Sequence, residues 1–227
     1  MPKPFVLGVV GMPGSGKSFL CSELEQLGAA YISADALGHE ILEEVEIQKQ
    51  LQGVFGDDVV KKGVVDRALL ANRAFPAGRA DELNAICHPA IHKRIITKIA
   101  ELSSNALIVL EAAILFEAGF DEVCSTSLFV KTPFEIRLER VKKTRNWSER
   151  ELKSRDSCQN ELLKGSKADL VINGALAIES FRAGIHKLHE TIPAWMLMRN
   201  DATCSYDDFY QYIKTCKLPD GINVRHL

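Results

Sequence analysis

A glycine turn followed at once by lysine and serine constrains this chain more than any other feature. Residues 10–19 read VGMPGSGKSF, with Gly11, Gly14 and Gly16 in one turn and Lys17 and Ser18 directly after it. Glycine loses more conformational freedom on folding than any other residue, so a turn this rich in it has a use that offsets the cost. Before the turn, FVLGVV (Phe5–Val10) is a short apolar run with β-branched residues, which predicts a buried strand. After it, Phe19, Leu20, Leu24 and Leu27 recur at helical spacing, and Gly28 stands where a helix C-terminus favours glycine. Strand, GxxxxGKS and helix in that order make a phosphate-binding loop. Small residues let backbone N–H groups converge on phosphate oxygens, and the helix N-terminus adds partial positive charge. Lys17 then reaches the β- and γ-phosphates, and the Ser18 hydroxyl is the candidate Mg²⁺ ligand.

The rest of the composition narrows what the phosphate belongs to. At 227 residues the chain can bury a full core. A net charge of −2 spreads no basic field over the surface, so neither nucleic acid nor a membrane is expected as partner. The apolar run after Met1–Lys3 is too short for a signal peptide, and no stretch approaches a membrane span, which predicts a cytoplasmic protein. Cys21, Cys87, Cys124, Cys158, Cys204 and Cys216 form no CxxC pair and read as buried thiols.

Along the chain, strands alternate with helices. AAYIS is a second strand, followed by one helix over ADALGHEILEEVEIQKQLQ with Leu37, Ile41 and Leu42 on one side. FGDDVVKKGVVDR reads as a loop, and Arg67 to about Leu102 as helix interrupted at Pro89. Leu107–Leu110 is a third, fully apolar strand, and CSTSLFVKT a fourth. Thr132 as N-cap and Pro133 at N1 open a helix through FEIRLERVKK; a second helix covers about Glu149 to Leu163. ADLVING is a fifth strand and ALAIESFRAGIHKLHE a closing helix. The pattern predicts an α/β fold with a five-stranded, mostly parallel sheet. The helical stretch between the second and third strands is too long for a simple crossover and reads as a substrate-side subdomain.

A phosphate loop alone fits a GTPase switch, a motor ATPase or a small-molecule kinase. No NKxD-type guanine-reading tetrapeptide is present, which weighs against a GTPase. A basic helix–break–helix favours a kinase: Arg137, Arg140, Lys142, Lys143, Arg145, Arg150, Lys153 and Arg155 crowd together late in the chain. Charge spreads over the equatorial oxygens in phosphoryl transfer, and arginines on a lid can stabilise it. Arg140 and Arg145, which flank the break, are read as catalytic, and most of the lysines as solvated helix surface. Asp35 follows the second strand at the end where open parallel sheets bind ligands. It can accept the proton of a substrate hydroxyl, orient that hydroxyl or hold a metal's water shell, and it can also be a helix N-cap. Glu111, at the end of the third strand, is either a Walker-B-like acid or a polar strand-end residue.

Read together, these segments resemble the dephospho-CoA kinase family, which phosphorylates the ribose 3′-hydroxyl of dephospho-CoA. GMPGSGKS, LGAAYISADALGHEIL, GVVDRALLANRAF, LNAICHPAI, ILFEAGF, RLERVKKTR, Gln159 and ADLVINGA match in order, from residue 5 to about 188. The resemblance implies a P-loop kinase domain over about 1–190, with a helical coenzyme-binding insertion at about 55–102 and a helical lid at about 137–165. It implies ATP, with Mg²⁺, on the loop formed by Gly11, Pro13, Gly14, Ser15, Gly16, Lys17, Ser18 and Phe19. Lys17, Asp35, Arg140 and Arg145 are the implied catalytic set, with Asp35 as base. Arg140, Asn173 and Gly174 lie by the nucleotide, and Asp35, Arg67, His88, Phe116 and Glu117 on the dephospho-CoA side. His88 reads equally as a His-Pro helix break. Met12 and Pro13 stand where the family carries Gly-Ile, Ser33 replaces the first acid of Asp-x-Asp, and Ala113 replaces a proline. Phe19 replaces a threonine. These departures leave open a nucleoside or nucleotide kinase with another acceptor; a P-loop ATPase switch is the rival from a different class. Residues 191–227 lie outside the resemblance and read as an extension packed on the core, with YDDFYQYIKTCK as an amphipathic helix.

Overall fold

The apolar run at the start of the chain becomes the centre of a sheet. The computed structural model describes residues 4–76, 78–200, 206–215, 218 and 221–224. In chain order the elements are β1 (Phe5–Val10), α1 (Lys17–Gln26), β2 (Ala30–Ser33), α2 (Ala34–Glu40), α3 (Val45–Phe55), β3 (Val60–Lys61), β4 (Val64–Val65), α4 (Arg67–Ala74), α5 (Ala80–Glu101) and β5 (Leu107–Glu111). They continue with β6 (Thr126–Lys131), α6 (Phe134–Arg145), α7 (Glu149–Asp156), α8 (Glu161–Lys167), β7 (Leu170–Asn173), α9 (Ile178–Asn200), α10 (Tyr206–Thr215) and β8 (Ile222–Val224). Packing divides the chain into two units, Met1–Ile32 with Glu101–Leu227, and Ser33–Ala100.

The first unit holds a six-stranded sheet in the order β2-β5-β1-β6-β7-β8. β1 runs parallel to β5, pairing Val9 with Glu111, and parallel to β6, pairing Val10 with Phe129; β6 runs parallel to β7. Every residue of β1 is buried, as expected where helices cover both faces of a parallel sheet. On one face Leu7, Val9, Val109 and Val130 pack with Leu20 and Leu24 of α1 and with Phe181, Ile185 and Trp195 of α9. The predicted five strands are joined by a sixth. Residues of the tail form β8, which runs antiparallel along β7, pairing Ile172 with Ile222. Ile213 of α10 and Ile222 are buried in the same core as Trp195. Cys21 is buried as expected, but Cys87 and Cys124 are only partly so and Cys158 is exposed. Cys204 and Cys216, and the side chains of Tyr206 and Tyr210, lie outside the described residues.

In the second unit the expected single helix after β2 is broken. α2 passes through a 3-10 turn and stops at Glu44, whose ψ of 125° is extended and which serves as N-cap of α3. Gln48 is buried and donates to the carbonyl oxygens of Leu42 (2.9 Å) and Gly63 (2.8 Å), so the break leaves these two backbone acceptors satisfied. The segment read as a loop contains a hairpin. β3 and β4 pair antiparallel across Lys62 and Gly63, both at positive φ (52° and 75°), as a tight two-residue turn requires. Helix α5 runs through Pro89 without interruption, so the His-Pro pair is not a break. An interior proline removes one N–H and crowds the carbonyl of residue i−4, here Ala85, and the 22-residue helix carries both costs.

Candidate active site

Gly14 and Gly16 adopt φ of +77° and +105°, left-handed values that residues with a Cβ rarely take. At Gly11 the requirement is space, since a Cβ would stand 2.7 Å from Ser15 Oγ and 2.8 Å from the Val130 carbonyl oxygen. Gly16 caps α1 without a side-chain hydrogen bond, so the first-turn N–H groups remain open to an anion. Ser15 Oγ is buried and has no hydrogen-bond partner among the described residues. An orphaned hydroxyl at an uncapped helix N-terminus is what a phosphate oxygen satisfies. Lys17 Nζ donates to the carbonyl oxygens of Gly11 (2.7 Å) and Met12 (3.3 Å), which holds its charge over the loop.

Beside the loop lies a short chain of oxygen atoms. Ser18 Oγ donates to Glu111 Oε1 at 2.8 Å, and the Tyr31 hydroxyl donates to Glu111 Oε2 at 2.6 Å. Burial first, then the Glu111 carboxylate, raise the nearby Cys21 thiol well above its ordinary value, so Cys21 stays a neutral packing group.

Two arginines one helical turn apart secure the loop from α6, by different means. Arg140 donates to the carbonyl oxygens of Ser15 (3.0 Å) and Gly174 (2.7 Å), and partial burial holds its guanidinium below its ordinary value. Arg137, which the sequence places in a basic stretch, has a side chain only 3% exposed. It grips both oxygens of Asp156 (2.9 and 2.8 Å) and donates to the carbonyl oxygens of Pro13 and Thr132 (3.2 Å each). Thr132 is not the N-cap expected of it. Pro133 occupies that place, and the Thr132 hydroxyl donates instead to Ser15 O at 2.9 Å. Ser15 O thus accepts from Thr132 and Arg140 together, which pins the loop to the end of β6 and to the middle of α6.

The family model for dephospho-CoA kinase matches residues 5–179. The chain belongs to the dephospho-CoA kinase family. A dephospho-CoA kinase of Idiomarina loihiensis is 31% identical over 191 residues, which cover 82% of this chain and 94% of that protein. Among solved structures, the dephospho-CoA kinase from Campylobacter jejuni is 27% identical with a TM-score of 0.61, over 82% of this chain and 96% of its own. Thermus thermophilus TT1252 is 26% identical with a TM-score of 0.71, over 84% and 97%.

The other residues implied by the dephospho-CoA kinase resemblance are distributed as follows. Asp35, Arg67 and His88 belong to the unit Ser33–Ala100. Asp35 is exposed in the first turn of α2 and is not its N-cap. That role falls to Ser33, whose hydroxyl accepts from Ala36 N at 3.2 Å. Arg67 Nη2 lies 2.8 Å from His39 Nε2, and His88 is half-buried, with burial lowering its pKa. In the first unit, Phe19 stacks on Phe181 with ring centroids 5.9 Å apart, and the Arg182 guanidinium lies over the Phe19 ring, 5.5 Å from its centroid. Phe116 is buried. Glu117 Oε1 accepts from Asn160 N (3.1 Å) and pairs with Lys164, whose side chain is fully buried. Asn173 is exposed and turns back to accept from Ala175 N at 3.0 Å, whereas Gly174 is buried. Arg145 is exposed at the end of α6, 4.9 Å from the Trp147 ring, which Arg155 also approaches at 4.1 Å.

Sequence spacing offers no sign of Tyr31 at the site, and it presents Thr132 only as a helix cap and not as a partner of Ser15 O. Tyr31 sits one strand away from Glu111, and only the neighbouring of β2 and β5 in the sheet brings the two together. No sequence spacing signals it.

Proposed function

We infer that this chain transfers the γ-phosphoryl group of ATP to the ribose 3′-hydroxyl of dephospho-CoA, giving coenzyme A and ADP. The observation that carries this reading is the uncapped N-terminus of α1 with the orphaned Ser15 hydroxyl and Lys17 beside it, in a chain of this family. Gly11, Pro13, Gly14, Ser15, Gly16, Lys17, Ser18 and Phe19 form the ATP loop, and Lys17 offsets charge on the β- and γ-phosphates. Ser18 and the Glu111 carboxylate are hard oxygen donors one hydrogen bond apart, a set that suits Mg²⁺ held directly or through its water shell. The ion supplies charge neutralisation at the phosphates. Arg140, with Asn173 and Gly174, serves the nucleotide, and Arg145 stabilises charge from the lid at about 137–165. Asp35 orients the acceptor hydroxyl and takes its proton, and Arg67, His88, Phe116 and Glu117 serve the coenzyme, with the insertion at about 55–102 as its binding region. Because the phosphoryl transition state is loose, positioning contributes more than early proton removal. The reaction is assigned to the cytoplasm. Among the described residues no helix is long and apolar enough to cross a membrane.

The test is coupled ADP release with dephospho-CoA, AMP, CMP and nucleosides as acceptors. ADP in proportion to dephospho-CoA alone is the expected result. Proportionality to a nucleotide or nucleoside would make the chain a kinase of another acceptor, and a steady rate indifferent to every acceptor would make it an ATPase. Asp35→Asn is expected to slow turnover at least ~100-fold, about 2.7 kcal/mol. The melting temperature should stay near wild type, because Ser33 and not Asp35 caps α2 and a first-turn acid contributes only about 0.3–1 kcal/mol. Initial rates and thermal melts check both, and an active Asn variant removes Asp35 from the reaction.

A further inference from the structure

We propose that Tyr31 is a positioning residue for the cation site, acting on Ser18 through Glu111. The proposal rests on the assignment of Ser18 and Glu111 to Mg²⁺. A glutamate carboxylate turns easily about its last torsion, which has broad, shallow preferences. In this chain both of its oxygens are committed, Oε1 to the Ser18 hydroxyl at 2.8 Å and Oε2 to the Tyr31 phenol at 2.6 Å. Hydrogen bonds to an ionised acceptor are short and about twice as strong as neutral ones. Two of them at opposite ends set the plane of the carboxylate. With Glu111 held, the proton of Ser18 is directed at Oε1, and the lone pairs of the Ser18 oxygen are left for a cation. Outer partners of this kind commonly alter metal affinity ~10- to 100-fold without touching the metal. The sheet supplies the geometry: β2 lies beside β5, so the phenol from one strand meets the carboxylate at the end of the next. Tyr31 is 37% exposed, so its ring is not a core element and Phe can replace it without opening a cavity.

The experiment compares Tyr31→Phe, Glu111→Gln and Ser18→Ala with wild type, using Mn²⁺ as the probe ion and ADP as the nucleotide. Electron paramagnetic resonance measures free Mn²⁺ in each titration, and calorimetry measures ADP binding without metal. Tyr31→Phe is expected to weaken Mn²⁺ in the ADP complex ~10-fold. Its affinity for metal-free ADP and its melting temperature should be unchanged. The Mg²⁺ concentration for half-maximal rate should rise by the same factor, with the rate at saturating Mg²⁺ retained. Unaltered Mn²⁺ affinity in Tyr31→Phe, with a loss in Glu111→Gln, overturns the role of Tyr31 and keeps the metal assignment. Unaltered affinity in all three variants overturns that assignment itself. A fall in metal-free ADP binding and melting temperature in Tyr31→Phe would make Tyr31 a structural residue and equally overturn the proposal.

Discussion

Lys17→Ala is expected to reduce kcat/KM by ~100- to 1,000-fold, about 2.7–4 kcal/mol of transition-state stabilisation. The surroundings of the ammonium set this expectation. It lies over the loop, within hydrogen-bond distance of the Gly11 and Met12 carbonyl oxygens, beside the uncapped first turn of α1 and the orphaned Ser15 hydroxyl. A charge fixed there meets the β- and γ-phosphates with little reorganisation, and charge developing on the transferring group is stabilised by it more than the ground state is. The fold should survive. Removing the side chain costs hydrogen bonds to two carbonyl groups, each worth about 1 kcal/mol. Steady-state kinetics with dephospho-CoA and a thermal melt read the two effects separately. A rate within tenfold of wild type would mean that the loop binds phosphate without taking part in the transfer.

Arg137→Ala should act in the opposite way, on stability before rate. Its guanidinium makes four hydrogen bonds, two of them to Asp156, and its side chain is 3% exposed. Truncation leaves Asp156, itself 18% exposed, without its counter-ion and frees the Pro13 and Thr132 carbonyl oxygens. Breaking a buried ion pair from one side costs about 3–5 kcal/mol. In a chain of this size that lowers the melting temperature by roughly 6–20 °C. Arg137→Lys keeps the charge but cannot form the paired bonds, so its melting temperature should fall between the two. The measurement is a thermal melt of all three proteins, with ATP binding measured well below the transition. If Arg137→Ala melts with wild type, the bidentate pair contributes nothing net, and the arginine's contacts to the loop would have to be judged by activity alone.

The two arginines show where sequence reasoning reached and where it stopped. Both were visible as members of one basic stretch, and spacing put them on the same helix. Sequence could not say that Arg137 is buried and spent on Asp156, because Asp156 lies in a different helix, beyond the Asn146 break. Sequence groups Arg145 with Arg140 because both lie near that break, yet both precede Asn146 on α6 and of the two only Arg140 reaches the Ser15 and Gly174 carbonyl oxygens. Thr132 has the residue type and position of an N-cap. Its hydroxyl found a better partner in Ser15 O, contributed by a loop 117 positions away. The apolar spacing after β2 continues through Glu44 and so predicts one helix, whereas at the break the buried Gln48 side chain satisfies the carbonyl oxygens of Leu42 and of Gly63, 15 positions away.

What the sequence determined by itself is whatever depends on neighbours along the chain. The left-handed glycines, the uncapped start of α1, the lysine one residue past the last glycine and the alternation of strand and helix are all local. Together they specify a phosphate loop in an α/β fold. The tertiary structure decided everything that depends on which strand lies beside which. β1 sits between β5 and β6, β2 stands next to β5, and the tail adds β8 to the edge of β7. From that order come the Tyr31–Glu111–Ser18 chain and the twofold hold of Thr132 and Arg140 on Ser15 O. Hydrogen bonds act over about 3 Å and carry no memory of separation along the chain. A contact between distant residues therefore leaves no spacing in the sequence to be read.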